Sequence, residues 1–340
     1  MNDSIDATLA FSHRRALRLV EHYIRTLNLD LSGLRVVTEV GSNAYLYTPV
    51  LAALANAQHV CARTADSPYG KGETIRNECM RIADFCGVSD RLDIVVNDDV
   101  NHAIADADII TNSGFLRPLN AESLAQCKSD AVIPLMYEAW ELRETDIDIE
   151  YCKHAGIKVA GTWEDHPSID VFDSVGTLAL KLAFEAGFEV WHNRIGIWSD
   201  DAFGNRSQQA LLGAGAKSAE IYNSVDKLIA NLPQLDFLYL CDYDERRPYF
   251  GSNGILDLSQ MTALNPNLGI VHLYGDVNVA LLRRNGLAVF PDHDGRPKQM
   301  SYALAHLGPQ PLIALQVASF RVAQETIEGR YSNLSQPITF

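Results

Sequence analysis

The 340-residue sequence has few of the features that mark extracellular, membrane or metal-binding proteins. Its six cysteines are scattered and form no CxxC pair, so neither a disulfide framework nor a metal site is expected. Buried thiols in a reducing cytoplasm are the expected alternative. The N-terminus has no basic start followed by an apolar run, and no apolar run is long enough to span a bilayer. We therefore expect neither a signal peptide nor a membrane anchor.

Basic residues are also scarce. The chain has 28 Lys and Arg against 43 Asp and Glu, a formal net charge of -15, and no stretch gathers the basic residues into one face. Nucleic acid and anionic membranes are therefore not expected partners. The length exceeds the size at which one hydrophobic core usually keeps growing. We expect two domains, residues 1–166 and 167–300, and a C-terminal helix with a tail over residues 301–340.

The most informative stretch lies near the start of the first domain. Residues 35–40 are predicted to form a buried strand, followed by the small-residue turn Gly41-Ser42-Asn43-Ala44, an Ala- and Leu-rich helix and a second strand that ends near Asp66. Backbone N–H groups at such a turn can bind a phosphate or carboxylate. The alternative is a tight turn that only caps the helix. Asp66 is a candidate acceptor for a ribose hydroxyl.

Strands and helices alternate along the rest of the first half, which predicts a parallel sheet of five or six strands with helices on both faces. Helices are expected over residues 121–127 and 171–190. The second half repeats the alternation at low sequence identity. Residues 300–324 are largely apolar and long enough to pack back on the first domain, and the tail beyond Gly329 is expected to be less ordered. The predicted fold is α/β, with two doubly wound Rossmann-like parallel-sheet domains joined by long helices.

This architecture resembles the superfamily of 2-hydroxyacid dehydrogenases and S-adenosylhomocysteine hydrolase. Two local runs are also similar: residues 105–136, where a strand ends in small polar residues that include Ser113, and residues 270–291. The resemblance implies an oxidoreductase with NAD or NADP as cofactor, to which Ser113 would contribute. It also implies a homodimer that pairs through long apolar helices such as residues 171–190.

The second domain departs from the family pattern at its glycine turn. Where the family has GxGxxG, this chain has Ser199, Asp201 and Gly204. Acidic residues in this turn would repel a pyrophosphate. The family's catalytic arginine is replaced by the run Tyr274-Gly275-Asp276. We therefore expect the cofactor at the turn of the first domain, with the Gly204 turn as the alternative position.

The order of elements over residues 39–98 is also similar to S-adenosylmethionine-dependent methyltransferases, in which a Gly-rich turn holds the methionine portion. Those sheets end in a hairpin, whereas residues 157–161 are predicted to form a parallel strand. A methyltransferase is therefore kept as an alternative of lower rank.

Four side chains are candidate catalytic groups. Glu138 and Glu141 follow a buried strand, and one of them is a candidate acid or base or a partner for an arginine, while a solvated acidic turn is the alternative. His166 adjoins two carboxylates, which favour its protonated form, although a hinge histidine is the simpler interpretation. Arg246, or alternatively Arg117, is a candidate for binding a substrate carboxylate. The alternative for Arg246 is that the charged residues of its loop pair with one another.

We predict an NAD(P)-dependent oxidoreductase that acts on a small polar or acidic metabolite in a crevice between the domains. His166 or Glu138 would transfer the proton. The competing hypothesis is a non-catalytic relative that binds a metabolite or nucleotide.

Overall fold

The computed structural model describes residues 9–338, which form two compact units. The chain leaves the first unit after Val171 and returns to it at Gly308, so Phe172–Leu307 form the second unit. The return of the C-terminal segment to the first unit confirms the prediction. Within the described residues, no helix combines the length and apolar character needed to cross a membrane.

Twelve strands are present in the described part of the chain. In order they are β1 (Arg35–Glu39), β2 (His59–Thr64), β3 (Leu92–Val96), β4 (Ile109–Ile110), β5 (Val132–Pro134), β6 (Lys158–Thr162), β7 (Arg194–Trp198), β8 (Ser218–Tyr222), β9 (Phe237–Leu240), β10 (Gly269–His272), β11 (Ala288–Phe290) and β12 (Ser335–Pro337).

Eleven α-helices are present in the same residues. In order they are α1 (Phe11–Thr26), α2 (Thr48–Leu54), α3 (Gly72–Cys86), α4 (Asn101–Ile104), α5 (Ile149–Ala155), α6 (Ser174–Glu185), α7 (Ala202–Gly213), α8 (Val225–Asn231), α9 (Leu258–Leu264), α10 (Val279–Arg284) and α11 (Pro309–Glu328). Short 3₁₀ helices connect several of them, including Asn43–Tyr47 directly before α2.

The sheet of the first unit has the order β12-β6-β5-β4-β1-β2-β3. Strands β1 to β6 are parallel, and β1 lies between β2 and β4. The central strands are buried because helices cover a parallel sheet on both faces. The order β3-β2-β1-β4-β5-β6 is that of dinucleotide-binding domains, in which ligands bind where the order reverses, at the carboxyl ends of β1 and β4.

The second unit has a five-stranded parallel sheet in the order β11-β10-β9-β7-β8. Here the order reverses between β7 and β9, as in the other common doubly wound topology. Each crossing between the units is followed closely by a helix, α6 after the first and α11 after the second. The predicted fold class is therefore confirmed.

Three local predictions are wrong. Residues 121–127 form turns, in which the Ala125 and Cys127 N–H groups donate to the Glu122 and Leu124 carbonyls three residues back, so no α-helical bonding pattern continues. The helix expected over residues 171–190 spans only Ser174–Glu185, since the chain turns at Gly187, whose φ is +86°.

The third concerns the tail beyond Gly329, which is more ordered than expected. Strand β12 pairs antiparallel with β6, and Leu334 is buried beside it. The buried Glu325 carboxylate on α11 accepts hydrogen bonds from Ser332 and Ser335 and holds the tail in place.

Candidate functional site

The turn after β1, residues 41–44, lies at the carboxyl end of the strand as predicted. Its Asn43 has a φ of +56°, a left-handed conformation that Asn adopts more readily than most residues. Among residues 9–338, no side-chain hydrogen bond caps the 3₁₀ helix that begins there at Asn43, where Ser42 is the N-cap residue. Ser42 is half-buried and Asn43 is exposed, so the start of this helix is open to solvent. Gly41 packs closely under Tyr45, whose Cβ would lie 3.0 Å from a Cβ added at Gly41.

A buried acid lies directly before this turn. The Glu39 carboxylate accepts a hydrogen bond from the Phe115 N–H at 2.9 Å, and the Gly114 N–H also donates to it. These N–H groups belong to the loop after β4, so Glu39 bridges the two strand ends at which the sheet order reverses. Burial raises the pKa of Glu39, while the two N–H groups and the charge of Arg117 act in the opposite direction.

The loop after β4 also contains Ser113, whose side chain is buried. Its hydroxyl and the Thr111 hydroxyl lie 2.9 Å apart, and Thr111 is 2.9 Å from the Thr38 hydroxyl on β1. This chain of hydroxyl groups ties the ends of β1 and β4 together. The predicted contact of Ser113 with a cofactor stays a prediction.

Asp66 lies just beyond the end of β2, where a ribose acceptor was expected. Its Oδ1 accepts the Gly72 N–H at 2.9 Å, and its Oδ2 accepts a hydrogen bond from Lys71 at 2.6 Å. These bonds, with that to Lys71 the largest cause, lower the pKa of Asp66. Because the side chain is exposed, a sugar hydroxyl can exchange with Lys71 at small cost. Arg63 donates instead to the backbone carbonyls of Asp98 and Phe115.

Two arginines and a tyrosine gather at the carboxyl ends of β4 and β5. Arg117 donates from Nε and Nη2 to the side-chain and backbone oxygens of Asn112 at 2.8 and 2.9 Å. Both Arg117 and Arg143 lie near the buried Asp146 carboxylate and over the Tyr137 ring. The two guanidinium groups thus share the Asp146 carboxylate at these strand ends.

Acidic side chains cluster beside this group, at the ends of β5 and β6. Glu138 is buried; its Oε1 accepts the Glu164 N–H at 3.2 Å and its Oε2 accepts from the Trp140 indole at 2.7 Å. Glu164 is only 9% exposed. Burial raises the pKa of Glu164 well above its ordinary value, and the negative charges of Glu141 and Glu138 add to this rise. The environment of Glu164 thus favours its protonated form, a feature that sequence analysis missed.

His166 lies in the same segment, and both of its ring nitrogens are engaged. Nδ1 accepts the Ser168 backbone N–H at 3.2 Å, so the ring proton is on Nε2, which donates to Asn333 at 3.0 Å. This is the arrangement of a histidine that fixes a loop. The catalytic role of His166 stays a prediction.

In the second unit, the turn after β7 is occupied by its own side chain. Asp201 Oδ1 accepts from the Phe203 and Gly204 N–H groups at 2.9 and 3.4 Å and from the Ser199 hydroxyl at 2.8 Å. Its Oδ2 accepts the Tyr243 N–H at 2.8 Å. The carboxylate thus takes the place at the N-terminus of α7 where a pyrophosphate would bind. Gly204 packs against Ser199, whose Cβ would lie only 2.5 Å from an added Cβ.

The other predicted residue of the second unit is Arg246, in the loop after β9. Its side chain is exposed, while the neighbouring Arg247 forms a bidentate ion pair with Glu245 at 2.9 and 2.8 Å. At the end of β8, Asn223 donates to Asp200 at 3.0 Å. The position of a ribose-binding carboxylate therefore carries an amide that is already engaged.

Two units of this topology, with the last helix packed on the first, define a two-Rossmann-domain protein. No protein-family model and no curated protein matches the sequence. Among solved structures, it is similar to a dipicolinate synthase chain from Bacillus halodurans, at 10% identity and a TM-score of 0.56 over 87% of this chain and 99% of that one. The equivalent dipicolinate synthase chain from Bacillus subtilis has 12% identity and a TM-score of 0.54 over 89% of this chain and 99% of that one.

A putative D-3-phosphoglycerate dehydrogenase from Ralstonia solanacearum is more distant, with 11% identity and a TM-score of 0.46 over 89% of this chain and 96% of that one. At these identities the likeness concerns the fold alone. The likeness to the two dipicolinate synthase chains agrees with the predicted fold of two Rossmann-like units.

Proposed function

We propose that the protein is an NAD(P)-dependent oxidoreductase whose first unit holds the dinucleotide at the turn after β1. The observation that carries this proposal is the contrast between the two helix starts. The turn at residues 41–44 presents uncapped backbone N–H groups in a sheet with dinucleotide-binding strand order, whereas the Asp201 carboxylate fills the equivalent place in the second unit.

In this proposal the Ser42 and Asn43 region contacts the phosphates, and Asp66 accepts from a ribose hydroxyl. The nicotinamide would supply hydride transfer. The raised pKa of Glu39 favours its neutral form, which reduces its repulsion of a nearby phosphate. The residues at this turn therefore fit an anionic cofactor better than those at the turn after β7.

The substrate we propose is a small metabolite that carries a carboxylate. Arg117 is held by Asn112, and its bonds to the described residues use Nε and Nη2, so Nη1 is placed to bind an anion. Glu164 then holds and delivers the proton that accompanies carbonyl reduction, because burial raises its pKa and favours its protonated form. Glu138, whose carboxylate accepts the Glu164 N–H, is the second candidate for this role. Arg246 and His166 remain the alternatives from the sequence.

Binding of NADH and NADPH, measured by titration calorimetry, tests the proposal. Asn43→Asp adds one negative charge to the first turn without changing side-chain size, and Ala202→Asp is its matched control at the exposed start of α7. We expect Asn43→Asp to weaken binding at least about tenfold, or about 1.4 kcal/mol, and Ala202→Asp to leave it unchanged.

If Ala202→Asp weakens binding and Asn43→Asp does not, the cofactor binds to the second unit. If neither nicotinamide cofactor binds the unsubstituted protein, the oxidoreductase proposal is wrong. Binding of S-adenosylmethionine alone would favour the methyltransferase, although the parallel β6 does not match that sheet.

A non-catalytic metabolite-binding protein is the second candidate. The observation that favours it is the engagement of both His166 nitrogens by Ser168 and Asn333, which commits the ring proton to Asn333. Such a protein would bind a carboxylate ligand without oxidising bound or added NADH.

A further inference from the structure

Three side chains with metal-binding atoms meet on one face of the first sheet, away from the carboxyl ends of the strands. They are Cys61 in the middle of β2, Asp93 on β3 and His102 on α4, and their ligand atoms all lie within 4.8 Å of one another. We propose that Cys61, Asp93 and His102 form a Zn²⁺ site. Neither the proposed oxidoreductase activity nor the cysteine spacing requires this site, and it departs from the expectation that the protein has no metal.

The fold itself brings the three residues together. Cys61 pairs with Asp93 in the parallel ladder between β2 and β3, so both side chains point to the same face of the sheet. On that face Cys61 belongs to the same buried cluster as Val100 and Ile104, the apolar residues that flank His102. The packing of α4 therefore fixes the histidine above the cysteine and the aspartate.

Among residues 9–338, the side chains of Cys61, Asp93 and His102 form no hydrogen bond or ion pair with other residues. This differs from the acidic residues near Glu138, whose carboxylate is already bound to Trp140 and to the backbone of Glu164. A carboxylate and an imidazole that are not engaged elsewhere can turn toward a shared ion without losing other contacts.

The ligand chemistry favours Zn²⁺. A thiolate, an imidazole and a carboxylate form a mixed sulfur, nitrogen and oxygen set that suits zinc, whereas Mg²⁺ and Ca²⁺ prefer oxygen ligands alone. Zinc holds such ligands at about 2.0 to 2.3 Å, so the ligand atoms must close by roughly 1 Å from the separations in the structure. Asp93 and His102 are exposed and can make this movement, while Cys61 is buried in the strand and stays fixed.

β3 is the edge strand of the sheet, so solvent can supply the fourth ligand. Burial raises the pKa of the Cys61 thiol to about 12, so the ion must displace the thiol proton as it binds. The bound ion would brace α4 just after the loop in which Asn97 accepts the Asp66 N–H at 2.8 Å. The metal would thus stabilise the segment that positions Asp66.

The test uses tag-free, chelator-treated full-length protein titrated with Co²⁺, which reports a bound thiolate by a charge-transfer band in the near ultraviolet. We expect one Co²⁺ per chain, displaced by Zn²⁺. Cys61→Ser should abolish the band, and His102→Gln or Asp93→Asn should weaken binding at least tenfold. The matched controls are Cys79→Ser, a buried cysteine on α3, and His154→Gln, an exposed histidine on α5.

Absence of Co²⁺ binding, a band that persists in Cys61→Ser, or equal losses in the control variants would overturn the proposal. If Cys61→Ser does not fold, His102→Gln and Asp93→Asn still decide the question, because both side chains are exposed. The proposed dinucleotide site can fail in its own test without affecting this result, since the readout is metal binding.

Discussion

The turn after β1 and the turn after β7 begin the same strand-to-helix motif, but they differ in what satisfies the helix N-terminus. After β7, Asp201 supplies a carboxylate that binds two N–H groups of α7 and the Tyr243 N–H. After β1, no side chain caps the helix, and the nearest acid, Glu39, turns instead to the loop after β4. When a side chain of the protein accepts the N–H groups at a helix N-terminus, those groups have a structural role. When they are left uncapped, they can bind a ligand.

Substitution of the glycines in the two turns, Gly41 and Gly204, should give the largest difference in the free energy of unfolding. A Cβ at Gly204 would lie 2.5 Å from Ser199 Cβ, so Gly204→Ala must displace the side chain that supports Asp201. At Gly41 the nearest atom is Tyr45 Cβ at 3.0 Å, which a small shift relieves. We expect Gly204→Ala to lower the free energy of unfolding by about 3 kcal/mol and Gly41→Ala by about 1 kcal/mol, measured by urea denaturation. Equal losses would contradict the comparison.

Substitution of the N-cap residues, Asp201 and Ser42, should give the next largest difference in the free energy of unfolding. Asp201→Ala removes the N-cap of α7 and leaves the Tyr243 N–H without its acceptor, so we expect a loss of about 2 kcal/mol in the free energy of unfolding. Ser42→Ala, at the matching position of the first turn, should cost less than about 0.5 kcal/mol because Ser42 caps nothing. Urea denaturation measures both losses, and circular dichroism confirms that both variants fold. A large loss of the free energy of unfolding in Ser42→Ala would mean that the Ser42 side chain caps the N–H groups of the first turn.

The sequence was sufficient to locate both turns, because buried β-branched runs followed by small residues mark strand ends at any sequence identity. It also identified the acidic character of the second turn. It did not show that Asp201 reaches Tyr243, 42 residues away, or that Glu39 reaches Phe115, 76 residues away. Those contacts depend on which strands are neighbours in the sheet, and local patterns do not encode that order.

The same limit applies to the chemistry of Glu164 and His166. Sequence analysis identified His166 beside two carboxylates, but the raised pKa of Glu164 depends on its burial and on nearby Glu141 and Glu138. The engagement of His166 depends on Asn333, 167 residues away. Residue types at strand ends therefore predict where a site lies, whereas tertiary contacts decide which side chains can act in it.

The smallest expected effect on the free energy of unfolding concerns Glu39, the buried acid beside the turn after β1. Because burial raises its folded pKa above the ordinary value of 4.5, wild-type stability falls as pH rises from that value through the folded pKa. Glu39→Gln cannot ionise and keeps an oxygen for the Phe115 N–H. Its free energy of unfolding relative to wild type should therefore rise as the pH increases from 4.5 through the folded pKa of Glu39.

Urea denaturation of both proteins across this pH range measures the difference, and Glu122→Gln is the control that removes one negative charge from the exposed surface of the same unit. A difference that does not change with pH would show that Glu39 ionises as readily in the fold as in the unfolded chain. The first turn would then carry a full negative charge beside it, as the second does, and its advantage for binding a phosphate would be lost.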